Sequence, residues 1–524
     1  MNASCTVSTP TPSASAKPGH TLYASSLIKS MLRSGYLPHV KAWRFADPSI
    51  VADSKPDTAA YNAVLNATAN LGDESKLKEI SEVEPAGYRM IQDRLFFYQP
   101  YRLVDVTFQG YDLNSPPLKP FVMSRRFRLL FIAYSTGLVV IEKGQVLMAA
   151  KEDVGSLIER RLLDLFIGKV DILALSTDER LLAVCVADII YIFDVESFMV
   201  QNFAVLQNME PRCSIPLPQA GFIKDIVWRR AAKYNFLVLT KDGKLFHGKF
   251  PDPSLTELMD GIDAVESSDI GDIVVAKQNK ITVFSSDLNE KMIIPLSSEL
   301  WLGVPVGGAT LGQNFNVGEP VDNYWDCKIK VDAIKWLVLN DDNTFSDCIV
   351  VGGYKYSEDG REEDYLLLVL KSKMGRILNP TSELVAYSNF EFYWDLSDSN
   401  CIGPKGMGPF LIFNCFRNGY IAVLSNRKVI GNEIKLVCLK GIKSFAPHSN
   451  LLDPKPICLE IERDHFIPRI DLQDDDELSY NQVMGICSEE DEEGYFVLFI
   501  LLSEGKLKIY RIEDYRRIVP ELDE

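Results

Sequence analysis

A chain of 524 residues is longer than one ordinary domain, and its 47% apolar and 24% charged residues are globular values that exclude a wholly disordered protein. Of the formal net charge of −17, residues 1–74 contribute +1 and residues 75–524 contribute −18. An acidic body repels phosphate backbones and anionic membrane surfaces, and no apolar run reaches the roughly 18 residues that span a bilayer, so nucleic-acid binding and membrane insertion are disfavoured and a basic protein is the natural partner.

The ten cysteines, from Cys5 to Cys487, form no C-x-x-C pair, and many sit inside apolar runs, the pattern of buried thiols in a reducing compartment. Residues 1–46 contain no Asp or Glu and open Ser/Thr/Pro-rich, a composition shared by organellar transit peptides and disordered tails; residues 1–21 read as such a tail. Helix stop and start signals follow at Gly35, Pro38, Pro56 and Gly72. Lys55-Pro56-Asp57-Thr58 running into Tyr61-Asn62-Ala63-Val64-Leu65-Asn66 resembles the junction of two pentatricopeptide repeats, so residues 22–75 read as a helical fragment of that kind. The resemblance implies single-stranded RNA binding, yet about three units are needed before such repeats bury one another, and the fragment reads as an appendage to a different fold.

From residue 84 to 515 short runs rich in Val, Ile, Leu, Phe and Tyr alternate with Gly, Asp, Asn and Lys, the signature of strands. Seven hairpins are expected, around Gly137, Ala187-Asp188, Gly243, Asn279, Gly360, Gly419 and Gly505, each the middle hairpin of a blade. Five of them follow a further short strand: Val170–Ser176, Ile223–Trp228, Gly261–Glu266, Val331–Trp336 and Val483–Ser488. Those strands read as innermost, with residues alternating into neighbouring blades. Hairpin intervals run from 36 to 86 residues, so several blades carry long insertions. Two β-sandwiches would also give short strands, but not a strand-plus-hairpin unit repeated seven times. The expected fold is all-β, a seven-bladed propeller with a short helical or disordered N-terminal extension and a tail at 516–524.

Catalytic signatures are sparse. The five histidines show no H-x-x-x-H or H-E-x-x-H spacing, Val304–Asn314 lacks the Lys-Ser/Thr of a phosphate loop, and no G-x-S-x-G elbow occurs. No metal, cofactor or catalytic residue is assigned. Acidic clusters stand out instead: Glu358 and Asp359 with Glu362, Glu363 and Asp364; Asp474, Asp475, Asp476 and Glu477; and Glu489 through Glu493. All three are expected in solvated loops between strands. A single cluster of that kind is most simply a solubilising turn, whereas three on one acidic body favour a basic partner, and the first two are taken as candidate partner-binding residues.

Several long stretches carry a family resemblance: Gly221–Gly248, Met259–Lys291, Cys327–Trp336, Gly360–Ser372 and Glu462–Gln473 are similar to the N-terminal propeller of nucleoporin 214 in its plant form. The resemblance implies a non-catalytic propeller that anchors a DEAD-box RNA helicase at the cytoplasmic face of the nuclear pore during mRNA export, alongside other nucleoporins. It also implies competition with RNA for a basic helicase surface, in keeping with the charge. Family members continue into Phe-Gly repeats and coiled coils that this sequence lacks up to Glu524. The alternatives are an organellar RNA-binding protein of the pentatricopeptide type, directed by the N-terminal segment, and a propeller hydrolase.

Overall fold

The computed structural model describes residues between 87 and 514, with residues 152–162, 200–208, 297–327, 396–407, 440–456, 460–481 and several shorter loop segments outside the described set. The chain divides into two compact units, Met1–Gly87 and Tyr88–Glu524. The readings of residues 1–21, 22–75 and 516–524 fall on residues that are not described.

The second unit is a seven-bladed β-propeller, each blade an antiparallel meander. Blade 7 takes strands from both ends of the sequence, and its first pieces are β1 (Gly87–Arg89), β2 (Leu95–Tyr98) and β3 (Val104–Asp105). Blade 1 is β4 (Phe121–Ser124), β5 (Leu129–Tyr134), β6 (Gly137–Glu142) and β7 (Leu163–Leu165), with α1 (Lys143–Lys151) inserted after β6. Blade 2 is β8 (Val170–Leu175), β9 (Leu181–Val186), β10 (Ile189–Asp194) and β11 (Cys213–Pro216). Blade 3 is β12 (Ile223–Trp228), β13 (Asn235–Thr240), β14 (Leu245–Lys249) and β15 (Leu255–Met259). Blade 4 is β16 (Ala264–Ser267), β17 (Ile273–Lys277), β18 (Lys280–Phe284) and β19 (Glu290–Pro295).

Blade 5 has the longest strands, β20 (Lys328–Asp341), β21 (Thr344–Tyr356) and β22 (Glu362–Ser372), followed by β23 (Leu384–Ser388) and β24 (Trp394–Asp395). Blade 6 is β25 (Leu411–Phe416), β26 (Ile421–Asn426), β27 (Ile434–Cys438) and β28 (Ile457–Leu459). Blade 7 is completed by β29 (Val483–Glu490), β30 (Phe496–Leu502) and β31 (Lys506–Asp514), onto whose outer edge β2 pairs from Leu95↔Asp514 to Tyr98↔Arg511. That pairing fastens the two ends of the ring and covers an edge strand.

Among the described residues, an apolar cluster holds each boundary between neighbouring blades. In β5, Leu129, Phe131 and Ala133 pack toward blade 2, while Leu130, Ile132 and Tyr134 pack toward blade 7. Because both faces of such a strand are covered, its sequence is a continuous apolar run rather than an alternating one. Full burial of each such Leu, Ile or Phe is worth roughly 1.5–3 kcal/mol.

All seven expected hairpins form. Positive φ at Ala187, Gly243, Gln278, Asn279 and Gly505 lets four of them turn within a few residues. Gly137 serves differently: a Cβ there would stand 1.9 Å from the Leu165 carbonyl oxygen, so the requirement is close approach. Blade 6 corrects the expectation, since the Gly419 hairpin joins β25 and β26, the first and second strands rather than the middle pair. Leu411–Phe416 is therefore an innermost strand itself, and the sequence signal of a preceding strand is absent there because none is needed.

Four first strands carry a β-bulge, one residue after they begin in β8 (Val170/Ile172), β12 (Ile223/Asp225) and β29 (Val483/Gly485) and four residues in from Lys328 in β20 (Val331/Ala333). The bulged residues are Asp171, Lys224, Asp332 and Met484. A bulge re-aims its side chain without breaking the ladder. Two of them, Lys224 and Asp332, line the central channel.

Candidate functional site

The channel is closed by charges from different blades. Lys119, ahead of blade 1, pairs with Asp225 of β12, and Lys335 of β20 donates to Glu266 of β16 at 2.8 Å. Burial alone would raise the Glu266 pKa, but the Lys335 ammonium outweighs it and holds the carboxyl below the usual range. Burial likewise disfavours charge on Lys335, yet Glu266 raises its pKa on balance. Lys119 goes the other way, its pKa lowered by burial despite Asp225. Asp332, 2% exposed, accepts from Tyr365 Oη at 2.8 Å and from the Phe410 and Leu411 backbone N–H groups at 2.7 and 3.3 Å, all at Oδ2. It thereby ties β20 to β25 and completes the inner ring.

One cavity of about 20 Å³ lies in the channel beside Lys224, Asp225, Asp263, Asp332 and Lys335. That is room for about one water, far below the roughly 300 Å³ of a small-molecule site. Among the described residues no group of His, Cys, Asp and Glu is set to hold a metal. His247 on β14 has its pKa lowered, by burial first and then by Arg229 and Lys249.

The other candidate is a rim. In a four-stranded meander the first strand starts, the second and third strands join, and the fourth strand ends at one common edge, so all these connections open on one face, here termed the entry face. The connections after blades 4, 5 and 6 enter at this face. Residues 297–327 hold Glu299, Glu319, Asp322 and Asp326 with no Lys or Arg, and residues 389–410 carry net −2. Residues 460–482 hold eight acidic and two basic residues. The blade 5 hairpin adds Glu358, Asp359, Glu362, Glu363 and Asp364 against Arg361. By contrast, residues 99–120, 166–169 and 217–222, the connections after blades 7, 1 and 2, sum to +1. In sequence, the negative charge of residues 75–524 is concentrated in the segments that connect blades 4 to 7 and in the blade 5 hairpin.

The sequence-predicted residues divide accordingly. Glu358 and Asp359, between β21 and β22 in sequence, and Asp474 through Glu477, between β28 and β29 in sequence, lie outside the described residues. Glu362, Glu363 and Asp364 are corrected from loop to strand, since β22 begins at Glu362, and Asp364 lies 3.8 Å from Lys355. Of the cluster at Glu489–Glu493, residues 491–493 follow β29 in sequence and lie outside the described residues. Glu489 and Glu490 finish β29, and Glu489 is 5% exposed and paired with Lys143, so it is no solvated loop residue. The run of apolar residues ahead of this cluster extends the strand, and the Lys143 partner is 346 residues away, beyond any spacing rule.

Comparison with known proteins gives a fold. No family model matches the chain. The N-terminal domain of Nup159 is similar at a TM-score of 0.51 and 14% identity, over 80% of this chain and 96% of that one. A chain in the structure of an S. cerevisiae Dbp5 variant bound to Nup159, a Gle1 variant, IP6 and ADP is similar at 0.52 and 13% identity, over the same shares. In sequence, a chloroplastic pentatricopeptide repeat-containing protein of Arabidopsis thaliana is 48% identical over 13% of this chain, and the match spans 13% of that relative's length.

Proposed function

We propose that the propeller is a non-catalytic docking platform of the nucleoporin 214 type, which holds a DEAD-box RNA helicase at the cytoplasmic face of the nuclear pore complex during mRNA export. The observation that carries the reading is the clustering of negative charge in the entry-face connections of blades 4 to 7. Such a field steers a basic protein surface into register and speeds its encounter. Glu358, Asp359, Glu362, Glu363, Asp364 and Asp474 through Glu477 are the contact residues of this reading. The likeness to Nup159, in a structure that also holds Dbp5 and Gle1, supports it at the level of fold.

Residues 84–515 are the docking domain in this reading, with residues 1–21 and 22–75 an appended tail and pentatricopeptide-like fragment. RNA binding by an isolated fragment is disfavoured because its apolar faces need neighbouring repeats.

Calorimetric titration of the full chain with the ADP-bound export helicase tests the proposal. Saturable binding that weakens between low and moderate salt is expected. A folded chain that shows no heat of binding at either salt would overturn it.

A further inference from the structure

Phe166 and Phe222 are the two most exposed large apolar side chains among the described residues, at 74% and 60%. A lone apolar side chain on a surface needs no explanation, but these two share a face. Phe166 follows β7 and Phe222 follows β11, so each stands on a connection from the fourth strand of one blade to the first strand of the next, on the entry face. The strands they lead into, β8 and β12, touch directly, since Trp228 Nε1 donates to the Ala174 carbonyl oxygen at 3.0 Å. Both connections are fixed: the Gly168 N–H donates to the Thr136 carbonyl oxygen at 3.1 Å, and the Lys241 N–H to the Phe222 carbonyl oxygen at 2.8 Å.

Charged groups link the two connections. The Lys241 ammonium, from the β13–β14 turn, stands 4.8 Å from the Phe222 ring centroid, where the negative ring face holds it. Lys169, three residues beyond Phe166, donates to the Ser115 carbonyl and hydroxyl oxygens at 2.8 and 2.7 Å and lies 4.0 Å from Asp171. Asp171, the bulged residue of β8, acts on both ammonium groups. The Lys241 pKa is lowered, by burial first and also by Lys169, with Asp171 opposing. Two cations therefore share one carboxylate beside the exposed rings. Of the remaining charges on the flanking turns, Lys244 is engaged by Gln219 at 2.7 Å, and Asp188 and Asp242 bring the sector close to neutrality, so a uniformly acidic segment gains little there.

We infer that the entry face of blades 1 to 3 is a docking surface for a short peptide segment with one carboxylate between two apolar side chains. The apolar groups pack on Phe166 and Phe222, and the carboxylate pairs with Lys169 and Lys241. Exposed aromatic rings on fixed backbone are effective anchors, because they offer a large contact area and lose little conformational freedom on binding. The carboxylate supplies the surplus positive charge with a partner, whereas a basic segment is repelled here. The inference does not depend on the helicase reading, which draws on the segments that connect blades 4 to 7.

Fluorescence anisotropy of the full chain with a set of fluorescein-labelled synthetic peptides tests the inference. Each peptide carries two leucines about four to seven residues apart, with Glu, Gln or Lys midway between them. Saturable binding is expected, with the Glu peptides tighter than the Lys peptides by about fivefold or more. Phe166→Ser and Phe222→Ser should each weaken it by about tenfold, and Lys241→Met should abolish the preference for Glu over Gln. Ile293→Ser, at a 51% exposed apolar position on β19 of blade 4, should change nothing. The substituted side chains are exposed or half-buried, and circular dichroism confirms that each variant is folded. No saturable binding by any peptide up to about 1 mM, binding indifferent to both Phe variants, or a preference for Lys would overturn the inference. Self-association of the parent chain that both serine variants abolish would assign the surface to a second copy and overturn it equally.

Discussion

Tyr365 in β22 donates its hydroxyl to Asp332 in β20 at 2.8 Å, and neither side chain is more than 2% exposed. Burial pushes the Tyr365 pKa far above its usual value, so the phenol is a donor at every accessible pH. Gly352 in β21, between these strands, would place a Cβ 2.4 Å from that hydroxyl oxygen. The contact fixes the turn of blade 5 toward blade 6.

Tyr365→Phe keeps the ring and removes one donor to a buried carboxylate that still receives two backbone N–H groups, so a loss of about 1.5–3 kcal/mol is expected. Gly352→Ala destabilises as well, and its penalty shrinks in the Tyr365→Phe background because the oxygen it strikes is gone. Urea midpoints of the two single variants and the double variant measure both effects.

Lys508 in β31 is 6% exposed, with its ammonium 5.7 Å from the Tyr510 ring, and burial pushes its pKa down to about 8. The unfolded chain holds that proton up to about pH 10.4, so between pH 8 and 10.4 the unfolded state binds more protons and this group's contribution to stability rises with pH. At pH 7 the folded state carries a buried cation, and Lys508→Met should be more stable than the parent by about 2 kcal/mol. Buried thiols act oppositely, since Cys348 and Cys487 are pushed up to about 12 and their contribution falls above about pH 8.5. Comparing variant with parent cancels them. The advantage should be largest at pH 7 and nearly closed at pH 10; a constant difference would assign it to packing alone.

The pairing of β2 with β31 closes the ring between distant parts of the chain. A chain lacking residues 1–99 should therefore unfold at lower denaturant than one lacking residues 1–83, by at least about 2 kcal/mol from four lost residue pairs. It should also associate through the freed edge of β31, which light scattering detects. Equal midpoints would show that the ring closes without that strand.

Much of the fold is legible because both faces of most strands are buried. Runs such as Leu129–Tyr134 and Phe496–Leu502 are continuous apolar segments bounded by turn residues. The positive φ of Gly243 and Asn279 was readable as turn chemistry. What escaped notice lacks local signal. Phe121–Ser124 is a four-residue first strand with no bulge motif, and Leu411–Phe416 has the apolar content of a second strand while serving as a first. The channel pairs Lys119–Asp225 and Lys335–Glu266 are 106 and 69 residues apart, so no spacing rule finds them. The acidic clusters were visible, but which face each occupies follows only from strand order: β21 and β22 meet on the entry face, β29 and β30 on the other.

That separation of faces supplies the most direct test of the docking account. Calorimetric titration of the ADP-bound export helicase into the full chain should be repeated with two matched charge reversals. One converts Glu358, Asp359, Glu362 and Glu363 to Lys, leaving Asp364 with Lys355; the other converts Glu490, Asp491, Glu492 and Glu493 on the opposite face. The account predicts that the first weakens binding by about tenfold or more and flattens its salt dependence, while the second changes it by less than about threefold. Equal losses from the two faces, or a larger loss from the second, would contradict an entry-face docking site.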